Sequence, residues 1–190
     1  MRFITGNCEN LTSELYFRVA HYRHQVFVEK LGWSLVSQNG KEADQFDRAD
    51  TVYVVAQDQD DQISGCARLL PTDKPYLLGE VFPQLLPQGF ALPCSSEIWE
   101  LSRFAAVDLS HQNAVDEGQF SSSIAIGLLQ AAIECAAKRG AKRLITVSPV
   151  GVERLLRKAG FYAHRAGPPM IINGYPLFAC WIDIDKNIKD

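Results

Sequence analysis

The sequence predicts an α/β (α+β) fold in which helices pack against a mixed central β-sheet. Three observations predict it. TVYVVAQ (51–57) and ISGCARLL (63–70) flank the turn-like DQDDQ and form a β-hairpin pattern. Residues 97–148 read strand, helix, strand, with a connection long enough for a parallel crossover. Another helix and strand follow. A hairpin gives antiparallel neighbours and a crossover gives parallel ones, so the sheet is mixed.

The elements can be justified in order. RFIT (2–5) reads as a short first strand. Residues 11–31 read as a helix with Thr12 or Ser13 as N-cap. Leu15, Val19, Tyr22 and Val26 recur at spacings of 4, 3 and 4 and give it one apolar face. Residues 34–50 are polar, aperiodic and rich in Asp, and read as a long loop, a length usually reserved for function. Residues 71–95 are punctuated by Pro75, Pro83, Pro87 and Pro93 and read mostly as loop. EIWELSRFAAV (97–107) is a strand. Residues 120–139 form a helix with Ile124, Leu128, Ala131 and Cys135 on one stripe and Gly140 beyond its end. RLITVSP (143–149) is a buried strand, VGVERLLRKAG (150–160) a short helix closed by Gly160, and YPLFACWIDI (175–184) the last strand.

The chain has 190 residues, 47% of them apolar and 22% charged, which is the composition of one globular domain spanning 1–190. No run reaches the ~20 apolar residues of a membrane span, and Asn7, Glu9 and Asn10 interrupt any leader-like start. Cys8, Cys66, Cys94, Cys135 and Cys180 show no zinc or redox spacing, so a reducing cytoplasm and no metal site are expected. The net charge of −3 excludes a generally basic nucleic-acid binder. Its distribution is uneven. Between Lys138 and Arg165 eight cations face one acid, Glu153, a local +7 that leaves −10 on the rest. Such a stretch is either a solvated face or the contact for an anionic partner: a nucleic acid, a phosphorylated cofactor or an acidic carrier protein.

Nucleotide-binding glycine loops, GxSxG and HExxH are absent, so any chemistry rests on less generic clusters. The first is Arg23, Phe27, Trp33, Glu42, Asp44, Phe46 and Asp47. It combines a cation, aromatics and carboxylates, which suits a small ligand bearing both charges; the plainer alternative is a packed helix beside a solvated acidic loop. The second is Arg68 with Glu100, Ser102 and Arg103. Charges inside apolar strands require partners. Glu100 and Arg103 are three apart, so serving one site requires a bulge or twist; a structural ion pair among Glu100, Arg103 and Arg68 is the alternative. The third is SPVGVERLLRK, whose helix start has free amides and whose Arg154 and Lys158 share a face, fit for a phosphate or acidic partner, or simply a basic helix.

Together these segments resemble the acyl-homoserine lactone synthase family, the autoinducer synthases of bacterial quorum sensing. The family signature is an Arg, a Phe four residues later, a Trp six after that, and an E-x-D-x-(F/Y)-D block. It stands here as Arg23, Phe27, Trp33 and EADQFD (42–47). CARLLP (66–71), ELSRFAAV (100–107) and ITVSPVGVER (145–154) match later family segments in order, and the resemblance runs from about residue 15 to residue 184.

The resemblance implies a three-layer sandwich similar to GCN5-related N-acetyltransferases. It implies two substrates, S-adenosylmethionine and an acyl thioester on acyl carrier protein, with no separate cofactor, no nucleic acid and no membrane. By carry-over, Arg23, Phe27, Trp33, Asp44 and Asp47 would build the S-adenosylmethionine pocket. Arg68 and Arg103 would pair with carboxylates and fix the loop, and Glu100, with Ser102 beside it, would serve as base for the α-ammonium. Backbone amides near Phe104 and Ala105 would stabilise the thioester oxyanion. Arg154 and Lys158, within the basic stretch 138–165, would contact the phosphopantetheine or the carrier protein. An acyl tunnel would be lined by Trp99, Leu101, Phe104, Leu128, Ile145 and Val147, with the hydroxyls of Thr146 and Ser148 on one side of their strand. Family members that make 3-oxo products tend to carry Thr near the place of Ser148, so the Ser implies an unsubstituted medium chain. The competing readings are an acyl-CoA-dependent N-acyltransferase of the same fold acting on another amine, and a non-catalytic module that senses acyl carrier protein.

Overall fold

The computed structural model describes residues 1–109 and 122–188. They group into two compact units, Met1–Arg68 with Arg103–Ala131, and Leu69–Ser102 with Ala132–Asp190. Three elements, β5 (Ile63–Pro71), β6 (Ile98–Ala105) and α3 (Ser122–Ala137), begin in one unit and end in the other. Residues 120 and 121 of the helix expected at 120–139 lie outside the described residues.

In the first unit, β1 (Arg2–Gly6) runs antiparallel to β4 (Val52–Gln57), with Arg2 opposite Gln57 and Gly6 opposite Tyr53, and β4 neighbours β5. Helix α1 (Ser13–Arg23) starts where the sequence places it: the Leu15 amide donates to Thr12 Oγ1 at 3.2 Å. Its stripe of Leu15, Val19, Tyr22 and Val26 is buried against Tyr53, Val55, Cys66, Ala105 and Val107. The expected single helix to residue 31 is corrected in its last turns. His24–Lys30 are π-helical, and the Leu31 amide donates back to the Val26 carbonyl. Such wide turns often mark functional segments; this one carries Phe27. The expected loop at 34–50 also contains a small hairpin, β2 (Ser37–Gln38) and β3 (Lys41–Glu42). Asn39 and Gly40 turn it at φ 53° and 70°, the left-handed pair that Asn-Gly supplies.

In the second unit, β7 (Arg143–Pro149) lies parallel to β6, from Ile98 opposite Arg143 to Leu101 opposite Thr146, as the crossover pattern requires. β10 (Tyr175–Asp183) pairs antiparallel with β7, and β8 (Ala163–Arg165) and β9 (Met170–Ile172) pair with β10. Neither β8 nor β9 was expected, since residues 161–174 hold too few alternating apolar positions. The expected loop at 71–95 likewise contains a short helix, α2 (Leu77–Val81), and a 3-10 turn at Pro83–Leu85. α4 (Val150–Lys158) begins at Pro149 and is stopped by Gly160 at φ 79°.

Residues opposite each other in a ladder project to the same face. Trp99, Leu101, Thr146 and Ser148 therefore share one face, while Glu100, Ile145 and Val147 share the other. This corrects the expected tunnel wall, because Ile145 and Val147 face away from Trp99 and Leu101. Among the described residues, β7 continues three residues past its last partner on β6, with Val147–Pro149 paired to β10. No described helix is long and apolar enough to cross a membrane.

Candidate active site

The first unit buries six charged side chains together. Arg23, at the end of α1, donates from Nε to Glu42 Oε2 at 2.6 Å and from Nη1 and Nη2 to Asp47 at 2.8 and 3.0 Å. Arg68 on β5 donates from Nη1 to Asp44 Oδ1 at 2.6 Å and to Asp47 Oδ1 at 3.1 Å. Arg103 donates from Nη2 to Glu42 Oε1 at 2.9 Å and to Asp44 Oδ2 at 2.7 Å. Three guanidiniums thus face three carboxylates, and the cluster is formally neutral. All three acids come from residues 42–47, so the network fixes that segment against α1, β5 and the end of β6. The segment braces itself too: the Asp44 amide donates to Asp47 Oδ2, and the Phe46 amide to Asp44 Oδ1.

Burial decides the electrostatics. It opposes ionisation of Asp47, but the Arg23 charge and its hydrogen bonds, with Arg68 behind them, outweigh it and hold the carboxyl well below the usual range. Burial equally opposes the Arg23 charge, yet Asp47 and Glu42 hold its pKa well above the ordinary value. Tyr53 donates to Asp47 Oδ1 at 2.7 Å; burial, then the Asp47 charge, push its hydroxyl pKa far up. Burial pushes the neighbouring Cys66 thiol to about 12, so it stays neutral.

The aromatic residues close the cluster. Phe27 is buried and stacks on Trp33, with centroids 5.1 Å apart and planes 22° apart. The Trp33 amide donates to the Phe27 carbonyl at 2.9 Å. Arg103 lies over Phe27, and Arg68 over Phe46. Trp33 is half-buried, and Asp44 keeps 14% exposure of its side chain, against 2% for Asp47 and none for Glu42. Asp44 and Trp33 are therefore the members of the cluster open to a ligand.

In ELSRFAAV, Arg103 is left-handed, at φ 49°. That conformation interrupts the pleat and turns the guanidinium toward Glu42 and Asp44. Tyr22 secures the following segment: its hydroxyl donates to the Val107 carbonyl at 3.0 Å and accepts from the Val107 amide at 2.9 Å.

In the second unit Glu100 is fully buried. Its carboxylate accepts from the Leu77 amide at 3.0 Å and the Leu78 amide at 2.6 Å, at the start of α2. These two amides fix the orientation of the carboxylate. Ser102 is buried. Among the expected acyl-pocket residues, Trp99, Leu101, Leu128, Thr146 and Ser148 are buried and Phe104 is half-buried. Thr146 Oγ1 and Ser148 Oγ are 3.1 Å apart, so the two hydroxyls do lie on one side of β7.

The basic stretch shrinks on inspection. Lys142 pairs with Glu97 at 2.5 Å, Arg143 with Asp183 at 3.1 Å, and Arg165 with Glu153 at 2.6 Å. The exposed Arg154, Arg157 and Lys158 on α4 have no acid within 4 Å among the described residues. No group of three or more His, Cys, Asp or Glu side chains suited to a metal ion occurs among the described residues.

Sequence reasoning missed Tyr53, Tyr22 and the α2 amides. Both tyrosines sit at ordinary core positions of a strand and a helix, and nothing in their spacing distinguishes a hydrogen-bonding tyrosine from a packing one. α2 is five residues long, too short for a helical period.

A mixed sheet with a parallel β6–β7 pair and its crossover helix resembles the fold of GCN5-related acyltransferases. The autoinducer synthase family model matches residues 8–190, and the chain belongs to that family. It is 59% identical over 184 residues to an acyl-homoserine-lactone synthase of Acinetobacter nosocomialis, covering 97% of this chain and 100% of that one. TofI, solved in a ternary complex with an inhibitor and MTA, aligns with a TM-score of 0.83 and 45% identity, over 97% of this chain and 92% of that one. BjaI, a CoA-dependent acyl-homoserine lactone synthase solved with SAM and isopentyl-CoA, aligns at 0.80 and 27%, over 96% and 82%. Likeness of fold alone extends to a Lactobacillus plantarum protein provisionally assigned as an N-acetyltransferase, with a TM-score of 0.59 and 18% identity, over 96% and 97%.

The depressed Asp47 carboxyl makes a pH-dependent stability prediction. Its folded pKa lies below the unfolded value of about 3.9, so its contribution is full above that pH and is lost as pH falls toward the folded value. Asp47→Asn leaves the buried Arg23 short of a charge partner and should cost about 3–5 kcal/mol at pH 7. In urea unfolding, the gap between wild type and variant should narrow as pH drops below about 4. A gap that stays constant with pH would remove Asp47 from this role.

Proposed function

We propose that this protein makes an N-acyl-L-homoserine lactone from S-adenosylmethionine and an acyl thioester carried on acyl carrier protein. The observation that carries the reading is the buried three-arginine, three-carboxylate cluster with its Phe27–Trp33 stack, because it is built from the residues of the family signature. BjaI, solved with SAM, supports the same first substrate.

Each residue then has a task. The half-buried Trp33 offers an aromatic face to the sulfonium or adenine. Asp44, the most open carboxylate of the cluster, receives the α-ammonium. Arg23, Arg68 and Arg103 act by holding Glu42, Asp44 and Asp47 in place.

The chemistry has two stages. An ammonium nitrogen has no lone pair, so it must first lose a proton. Glu100, held in one orientation by the Leu77 and Leu78 amides, takes that proton directly or through a water. The free amine attacks the thioester carbon, the carbon–sulfur bond breaks, and the proton shed by the new amide nitrogen goes to the departing thiolate, so the carrier leaves as a thiol. The methionyl carboxylate oxygen then attacks the γ-carbon. The sulfonium carbon–sulfur bond breaks with its electron pair on sulfur, and neutral methylthioadenosine departs. No methyl group is transferred.

For the acyl chain we favour a medium length without a substituent on the third carbon. The Thr146 and Ser148 hydroxyls hydrogen-bond to each other, which lessens their call for a keto oxygen. For the donor, the three exposed cations of α4 support an acidic carrier. A second reading, acyl-CoA as donor, is favoured by the CoA dependence of BjaI.

Incubation with S-adenosylmethionine and matched acyl carrier and acyl-CoA thioesters, followed by mass spectrometry, tests the function. The expected product is an unsubstituted medium-chain lactone formed faster from the carrier thioester. A dominant 3-oxo, 3-hydroxy or long-chain lactone overturns the chain reading, and absence of any lactone overturns the function.

Glu100→Gln keeps shape but cannot accept the proton. Its kcat should fall by roughly 10²–10⁴-fold, with S-adenosylmethionine affinity retained by calorimetry. Near-normal turnover would leave Glu100 only an anchor for α2.

Reversing Arg154 and Lys158 to Glu should raise KM for the carrier thioester and flatten its salt dependence, with KM for S-adenosylmethionine unchanged. An unchanged carrier KM would make the stretch a solvated face.

A further inference from the structure

The most exposed apolar surface of the second unit lies on the hairpin formed by β9 and the start of β10. Ile171 is 77% exposed, Tyr175 47% and Met170 39%, and Pro169 and Pro176 beside them are also exposed. Isolated exposed apolar residues need no explanation; a contiguous group on one hairpin does. The hairpin is also rigid by construction. Ile172 pairs with Tyr175 across a two-residue turn, and Asn173 and Gly174 sit at φ 51° and 83°, the left-handed pair that makes tight hairpins.

Its position in the sheet gives it meaning. Leu177 on β10 lies opposite Met170 on one side and Pro149 on the other. At about 4.8 Å per strand, Met170 lies about 10 Å from the residue that opens α4. The hairpin therefore projects from the same end of the sheet at which β7 runs free of β6 and α4 begins. Parity along β10 puts Ile171, opposite Pro176, on the face of Phe178 and Cys180. α4 packs on that face: its Glu153 holds Arg165, which lies over Phe178. An apolar knob and the first turn of α4 thus share one face and one end of the sheet, and the helix then carries Arg154, Arg157 and Lys158 along that face toward β8.

We propose that the β9–β10 hairpin, through Ile171, is the apolar half of the docking surface for acyl carrier protein, with Arg154, Arg157 and Lys158 as its charged half. This rests on the carrier-protein reading above. The three exposed cations specify an acidic partner, and the hairpin stands at the end of the sheet from which their helix starts. A footprint of about 800 Å² per partner spans both.

The test compares two thioesters of one acyl chain, on acyl carrier protein and on N-acetylcysteamine, with Ile171→Ser and Ile171→Leu. Ile171→Ser should raise KM for the carrier thioester about tenfold while KM for the small thioester and for S-adenosylmethionine stays at the wild-type value; Ile171→Leu should restore the carrier KM. An unchanged carrier KM in Ile171→Ser, or an equal rise for both thioesters, overturns the hairpin's role alone. A wild-type protein that turns over acyl-CoA but no carrier thioester overturns the donor reading, and the hairpin's role with it.

Discussion

Six charges largely withdrawn from water set the terms for the first unit. A buried ion loses several kcal/mol of hydration, and only close, complete pairing offsets it. Arg23 comes from α1, Arg68 from β5 and Arg103 from β6, while the carboxylates all come from one six-residue segment. The segment must therefore dock in one register, since any slip leaves a buried charge alone. The same demand accounts for Arg103. A left-handed non-glycine residue costs about 1–2 kcal/mol, and the contacts to Glu42 and Asp44 that this conformation permits outweigh that cost. Neutrality also matters for binding. A closed three-by-three cluster exerts little net field, so under the proposed function selectivity falls to its most open members, Asp44 and Trp33, one for a cation and one for a flat or sulfonium-bearing group.

Glu100 has a different kind of constraint. Two peptide amides at the start of a short helix fix its carboxylate, and that helix in turn has little else to satisfy its first amides. Structure and chemistry thus converge on the same two oxygens. Under the proposed function, a base held in one orientation avoids the cost of finding it at each turnover. That sharing also explains why a kinetic readout must accompany any substitution here, because loss of α2 and loss of a proton acceptor would both reduce activity.

The long elements were legible because a period survives in them. The Leu15–Val19–Tyr22–Val26 stripe and the 97–148 crossover needed only spacing, and both stand as read. The charged residues were legible as a set, since Arg23, Asp44, Asp47, Arg68 and Arg103 look anomalous in apolar surroundings or in an aperiodic loop. Their wiring was not legible. The resemblance implied that Arg68 and Arg103 pair with carboxylates and fix the loop; which acid of 42–47 each one takes depends on how the loop folds back in three dimensions. What failed entirely was short: two-residue strands around Asn39–Gly40, the five-residue α2, and three-residue β8 and β9. Local turn chemistry signalled two of these, in SQNGKE and IINGYP, and Asn-Gly was the available clue in each.

The basic stretch shows how a charge count differs from a charged surface. Eight cations in sequence become three exposed and unpaired cations on α4 once Glu97, Asp183 and Glu153 are accounted for, together with Lys138 and Arg139 at the far end of α3. Paired charges cancel within a Debye length of about 8 Å at physiological salt, so long-range attraction originates mainly from α4. Attraction of that kind speeds encounter more than it prolongs a complex. Residence time depends instead on desolvated apolar contact. A surface with cations alone would capture many acidic proteins and hold none of them. A rigid apolar knob beside the cations adds the discrimination that charge lacks, because a partner must then present acidic and apolar groups at matching spacing. Under the proposed carrier-protein reading, that pairing joins fast capture to discrimination between acidic partners.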